Sequence, residues 1–154
     1  MKNIERILFP TDFSDNSYAA LDYATKLAEL CKAELCLLHV VNSPIQYDSF
    51  LLSSFQIDDI ERKATSAKRQ ALLNLIQTRI GEQVPVKVML RRGVPFVEII
   101  DSARKCKADL IVMGTHGRTG LRQMLIGSVA EKVMRHAPCP VMTVKHRDYE
   151  FEMP

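Results

Sequence analysis

The sequence predicts an α/β domain: a three-layer, doubly wound sheet of five parallel strands in the order 3-2-1-4-5, with helices on both faces. Three observations carry that expectation. Strand-length apolar runs alternate with helical stripes in the order β-α-β-α-β-α-β-α-β. Two of the runs, "ELCLLHVV" and "ADLIVMG", are almost wholly apolar, the pattern of strands covered on both faces. Right-handed crossovers then leave only a few doubly wound orders.

Taken in order, Ile4 to Phe9 reads as a short buried strand stopped by Pro10. A helix follows, with Ser14 or Asp15 as its N-cap and Ala20, Leu21, Ala24, Leu27, Ala28 and Cys31 on one stripe. "ELCLLHVV" is the second strand, and residues 42–55 read as irregular. Tyr47, Phe50, Leu51, Leu52 and Phe55 in that segment suit packing onto the core, or a lid or partner surface. Ile57, Ile60, Ala64, Ala67, Ala71, Leu75 and Ile80 then mark a long amphipathic helix ending near Gly81. "PVKVMLRRG" alternates as a third strand, and "VPFVEIIDSARKC" is a short helix with Pro95 in its first turn. "ADLIVMG", the helix "SVAEKVMRHA" and the strand "CPVMTVKH" complete the series. Residues 1–147 make a single domain, and 148–154 a polar tail.

Composition narrows the function classes. A chain of 154 residues with 47% hydrophobic and 25% charged content supports one domain with a core. A net charge of +3 gives no case for nucleic acid. "ILF" near the start is too short for a signal peptide, and no run approaches a membrane span. Cys31, Cys36, Cys106 and Cys139 have no zinc spacing, and Cys36 faces away from His39 on one strand. Buried reduced thiols and a cytoplasmic location are expected.

The chemistry concentrates in "MGTHGRTGLRQMLIGSVAEKVM", residues 113–134. In doubly wound sheets ligands sit beyond the carboxyl ends of the strands, where the winding reverses. "PTDFS" leaves the first strand there and "MGTHGRTG" the fourth. Gly114 and Gly117 let backbone N–H groups approach an anion, Gly127 and Ser128 open a helix, and Arg118 and Arg122 add charge. "SVAE" is also a capping box, Ser128 to Glu131, so a phosphate cradle and a structural turn both stay open on local physics. Asp12 is equally an N-cap. His116 has no acid beside it in sequence and reads as a loop residue without a catalytic role. Arg91 and Arg92 read as a solvated rim.

The spacing G, two residues, G, nine residues, G, S in "GTHGRTGLRQMLIGSV" resembles the ATP-binding signature of the universal stress protein family. The resemblance extends over nearly the whole chain, through "ILFPTDFS", "LLHVV", "RRGVPFVEII", "ADLIVMGTHGRTGL" and "HAPCPVMTV". It implies a Rossmann-like fold with Asp12 and Val40 at the adenine and Pro10, Thr11 and Met113 flanking base and ribose. Gly114, Gly117, Gly127, Ser128 and the Val129 amide would take the phosphates, with Thr115, His116, Gly117, Arg118, Thr119 and Gly120 closing over them. It also implies a homodimer through the last strand, Val141, Met142, Thr143 and Val144; an apolar sheet edge there would want a partner.

The expected function is that of an ATP-binding cytoplasmic stress-response regulator or sensor, the ATP alone or with Mg or Mn, together with an unidentified regulatory partner protein. No Walker lysine motif is present and no metal-holding carboxylate is visible by the glycine loop, so hydrolysis is expected slow or absent. The alternative is a dimeric interaction module of the same fold that does not use nucleotide. A flavodoxin-like or receiver domain fits less well, because "FPTDFSDNS" lacks both the FMN phosphate loop and the paired acids.

Overall fold

In a computed structural model, residues 3–42, 54–116 and 126–145 are described. The strands are β1 (Arg6–Pro10), β2 (Glu34–Val41), β3 (Val86–Arg92), β4 (Leu110–Gly114) and β5 (Val141–Val144). The helices are α1 (Asp15–Cys31), α2 (Ser54–Leu75), α3 (Pro95–Lys105) and α4 (Ser128–His136). All strand pairs are parallel, in the order β3-β2-β1-β4-β5, as the alternating pattern predicts.

Strand periodicity divides the core into two layers. Ile7, Phe9, Leu35, Leu37 and Val112 face α1 and α2, packing on Ala20, Leu21, Ala24, Ala28, Leu72 and Leu75. Leu8, Cys36, Leu38, Ile111 and Met113 face α3 and α4, packing on Ile99, Ala103, Ala130 and Val133. The first two helices thus cover one face and the last two the other. The winding reverses between β1 and β4.

Several local features depart from the pattern reading. β1 runs through Pro10 and begins at Arg6, where Asp109 Oδ2 accepts from the Glu5 and Arg6 N–H groups at 3.0 Å each. α2 begins at Ser54, inside the stretch expected to be irregular. Its apolar stripe was drawn too long: Ile60, Ala64 and Ala67 are exposed, while Leu72 and Leu75 enter the core. The helix continues as a π-helical turn, Ile76–Ile80, closed by Gly81 N–H donating to the Ile76 carbonyl at 2.8 Å. Cys31 is exposed and Cys139 only half-buried, so two of the four thiols are not core residues. Tyr47, Phe50, Leu51 and Leu52 lie outside the described residues, as does the 148–154 tail.

Candidate functional site

The turn after β1 is built from short polar side chains. Thr11 N–H donates to the Leu38 carbonyl at 2.8 Å, carrying the ladder one residue past Pro10. Thr11 itself is buried, and its Oγ1 accepts from Phe13 N–H at 3.0 Å and from Ser17 Oγ at 2.7 Å. Asp12 Oδ1 accepts from the Ser14 amide at 3.0 Å and the Ser14 hydroxyl at 2.6 Å. Ser14, not Asp12 or Asp15, is the N-cap of α1, its Oγ accepting from Ser17 N–H at 3.2 Å. The carboxylate therefore orients the cap while remaining at the carboxyl end of β1. This turn requires Phe13 in the left-handed region, at φ 64°. Such a conformation costs on the order of 1 kcal/mol in a non-glycine residue.

Two residues missed by sequence reasoning hold that turn. His39 on β2 is buried, with Nδ1 2.7 Å from the Thr11 carbonyl, so Nδ1 is the protonated nitrogen in this contact. Its ring lies 4.5 Å from that of Phe13, and Lys68 Nζ on α2 lies 5.3 Å from the Phe13 centroid. A histidine within an apolar strand run, one residue before Val40, was the available signal. Val40 is half-buried beside it, on the opposite face of the strand.

The second segment leaves β4. Met113 is buried and Gly114 half-buried. A Cβ on Gly114 would stand 3.0 Å from the Asn16 carbonyl oxygen and 3.3 Å from the His116 carbonyl oxygen. The glycine at this position thus admits the first turn of α1, a reason unrelated to any anion. Thr115 N–H donates to the Val144 carbonyl at 3.0 Å, and the Thr115 carbonyl accepts from Gly127 N–H at 2.7 Å. That second bond closes the base of the loop, bringing the start of α4 against the end of β4. Thr115 and His116 are buried, with Thr115 Oγ1 3.0 Å from His116 Nδ1. His116 thus follows β4 outside any strand or helix, as expected, but is buried. Gly117, Arg118, Thr119, Gly120 and Arg122 lie outside the described residues.

The capping-box reading of Ser128 is overturned. Gly127 is the N-cap of α4, with φ −69° and ψ 151°, and no side chain among the described residues caps the helix. Ser128 is the first helical residue and exposed, and Glu131 pairs with Arg135 at 2.9 Å instead of reaching back. The early amides of a helix, here those of Ser128, Val129 and Ala130, have no carbonyl within the helix to receive them. Their N–H groups and the positive dipole end suit a phosphate, whereas the start of α1 is already occupied by Ser14.

Surroundings of the site are less specific. Arg92 is exposed and pairs with Glu61 at 2.7 Å, in keeping with a solvated rim, while the buried Arg91 Nε has no hydrogen-bond partner among the described residues. An open cleft of about 670 Å³ lies on α2 beside Arg92, lined by Glu61, Arg62, Thr65, Ser66 and Arg69. It holds none of the glycine-segment residues, and its walls are those of a solvated charged face. Among the described residues no group of three or more His, Cys, Asp or Glu side chains is placed to hold a metal. No helix among them is long and apolar enough to cross a membrane.

A parallel sheet that reverses its winding at β1 and β4, with a polar turn and an uncapped helix start meeting there, defines a Rossmann-like class of domain. Within that class the chain belongs to the universal stress protein family, whose model matches residues 3–145. It is 37% identical over 149 residues to universal stress protein MJ0531 of Methanocaldococcus jannaschii, covering 92% of this chain and 82% of that protein. The solved structure of MJ0577, a universal stress protein of the same organism, superposes with a TM-score of 0.77 at 29% identity, covering 96% of this chain and 99% of the other. A universal stress protein solved in complex with cAMP superposes with a TM-score of 0.59 at 25% identity, covering 94% and 98% of the two chains.

Proposed function

We propose that this protein binds an adenine nucleotide, ATP first among candidates, at the carboxyl ends of β1 and β4, and acts as a stress-response regulator or sensor rather than a fast ATPase. One observation carries the reading: the Gly127–Thr115 hydrogen bond brings an uncapped helix start to the winding reversal beside the Asp12 turn. The base would meet Asp12 and Val40, flanked with the ribose by Pro10, Thr11 and Met113. The phosphates would meet the Ser128 and Val129 amides beside Gly127, with Ser128 adding its hydroxyl, and Thr115 to Gly120 would close over them. A family relative that holds cAMP, itself an adenine nucleotide, supports the ligand class. Any Mg or Mn would arrive with the phosphates.

A homodimer through β5 belongs to the same proposal. Among the described residues β5 pairs with β4 alone, which leaves its other edge as the sheet's end, and Val141, Met142 and Thr143 are each half-buried. A dimer that ignores nucleotide is the second reading.

Thermal melting with Mg-ATP, AMP and GTP tests the first against the second. At about a hundred times Kd the ligand adds about 2.7 kcal/mol. For a domain of this size that raises Tm by about 5–10 °C. A rise with ATP and none with GTP is expected; no rise in nucleotide-free protein sinks the reading.

A further inference from the structure

In a parallel sheet the N–H and C=O of one residue turn to one neighbouring strand, and those of the next residue to the other. In β2 the odd residues face β3: Leu35 N–H donates to the Pro85 carbonyl, and the Val41 carbonyl accepts from Gly93 N–H. The even residues face β1: Glu34 N–H donates to the Glu5 carbonyl, and the Leu38 carbonyl accepts from Thr11 N–H. Continued by two bonds, the β1–β2 ladder would run from Val40 N–H to the Thr11 carbonyl and from Phe13 N–H to the Val40 carbonyl. Neither bond is formed. Side chains take both of the outer partners instead: His39 Nδ1 lies 2.7 Å from the Thr11 carbonyl oxygen, and Phe13 N–H donates to Thr11 Oγ1 at 3.0 Å. Val40 thus keeps an N–H and a C=O turned toward the carboxyl end of β1, with no hydrogen-bond partner for either among the described residues.

We infer that His39 is a positioning residue for a nucleotide base: by donating to the Thr11 carbonyl in place of the Val40 amide, it keeps the Val40 N–H and C=O open to the edge of a purine. This role rests on the proposed nucleotide site, in which the base meets Val40. One donor beside one acceptor suits adenine, whose N1 accepts and whose 6-amino group donates.

The imidazole is well held for this task. It is 5% exposed, and its ring lies 4.5 Å from that of Phe13, the residue at φ 64° where the chain leaves the ladder. Thr11 is buried as well, and a buried carbonyl requires a donor. Without the imidazole, the ladder's own donor for that carbonyl is the Val40 N–H. Taking it would close the base edge.

Amide hydrogen exchange of the full chain, followed by NMR without nucleotide, reads the release directly. In wild type the Val40 N–H should exchange about tenfold faster than the Leu38 N–H, or more. His39→Leu should slow it as it closes on Thr11, whereas His39→Asn, which can carry an N–H where Nδ1 stands, should leave it fast. In calorimetry His39→Leu should bind ATP about tenfold more weakly than wild type, and His39→Asn should recover most of that loss. A Val40 amide as protected as Leu38 in nucleotide-free wild type would overturn the inference, with no variant needed. Full ATP affinity in His39→Leu would do the same. A fast Val40 amide in a wild-type protein that binds no ATP would instead sink the nucleotide reading and, with it, the role given to His39.

Discussion

Gly127 N–H donates to the Thr115 carbonyl at 2.7 Å, joining the start of α4 to the end of β4. The same Thr115 donates its own N–H to Val144 on β5. One residue thus links the loop base, the helix start and the outer strand. A nucleotide phosphate at α4 would act on a point connected through backbone to the proposed dimer edge.

Replacing Gly127 tests the helix start. Its φ of −69° and ψ of 151° are open to any residue, so Gly127→Val should fold. Loss of a good N-cap costs about 1 kcal/mol. The expected result is a Tm lowered by about 2–4 °C and loss of the ATP-induced rise. Undiminished ATP binding would remove Gly127 from the site.

Gly114→Ala has a different expected outcome. Its Cβ would meet the Asn16 backbone at 3.0 Å, and a backbone atom cannot rotate aside as a side-chain tip does. Overpacking of this kind costs about 1–3 kcal/mol. Urea unfolding should show that loss without nucleotide present; an unchanged midpoint would mean that α1 tolerates the shift.

The two helix-start serines should separate cleanly. Ser14 accepts from Ser17 N–H, so Ser14→Ala should cost about 1 kcal/mol. Ser128 caps nothing, so Ser128→Ala should stay within about 0.5 kcal/mol. If its hydroxyl meets a phosphate, calorimetry will show weaker ATP binding at nearly unchanged stability. An equal stability loss at both serines would restore the capping box.

Two buried thiols make a pH prediction with a definite sign. Cys106 is lowered to about 7 from 9.0, so its contribution to stability appears as pH rises from about 7 toward 9. Cys36 is raised, so its contribution is present below 9 and declines above it. Under reducing conditions, the Tm advantage of wild type over Cys106→Ser should therefore grow between about pH 6.5 and 8.5. A flat difference would show that the Cys106 thiol is not held below its usual range.

Much of the architecture was legible. Buried strands announce themselves as apolar runs, and helices as stripes, because burial on two faces or one imposes those periods on the side chains. With the right-handed crossover, the alternation leaves a few doubly wound orders, and the observed one is among them. Where burial was incomplete the reading weakened: Ala64 and Ala67 continue a plausible stripe yet face solvent, while Leu72 and Leu75 near the end of α2 enter the core. Local motif reading failed at Ser128, because whether a serine is N-cap or first helical residue depends on the chain's entry angle, here set by the Gly127–Thr115 bond.

By itself, the sequence determined the layers, the winding and the segments that lie at its reversal, since these follow from hydrophobic period and chirality along the chain. Contacts between distant residues were decided only by tertiary structure: His39 against Thr11, and the Gly114 position against Asn16. Such pairings depend on how helices settle across a sheet, to within a few tenths of an ångström. No one-dimensional pattern encodes that distance.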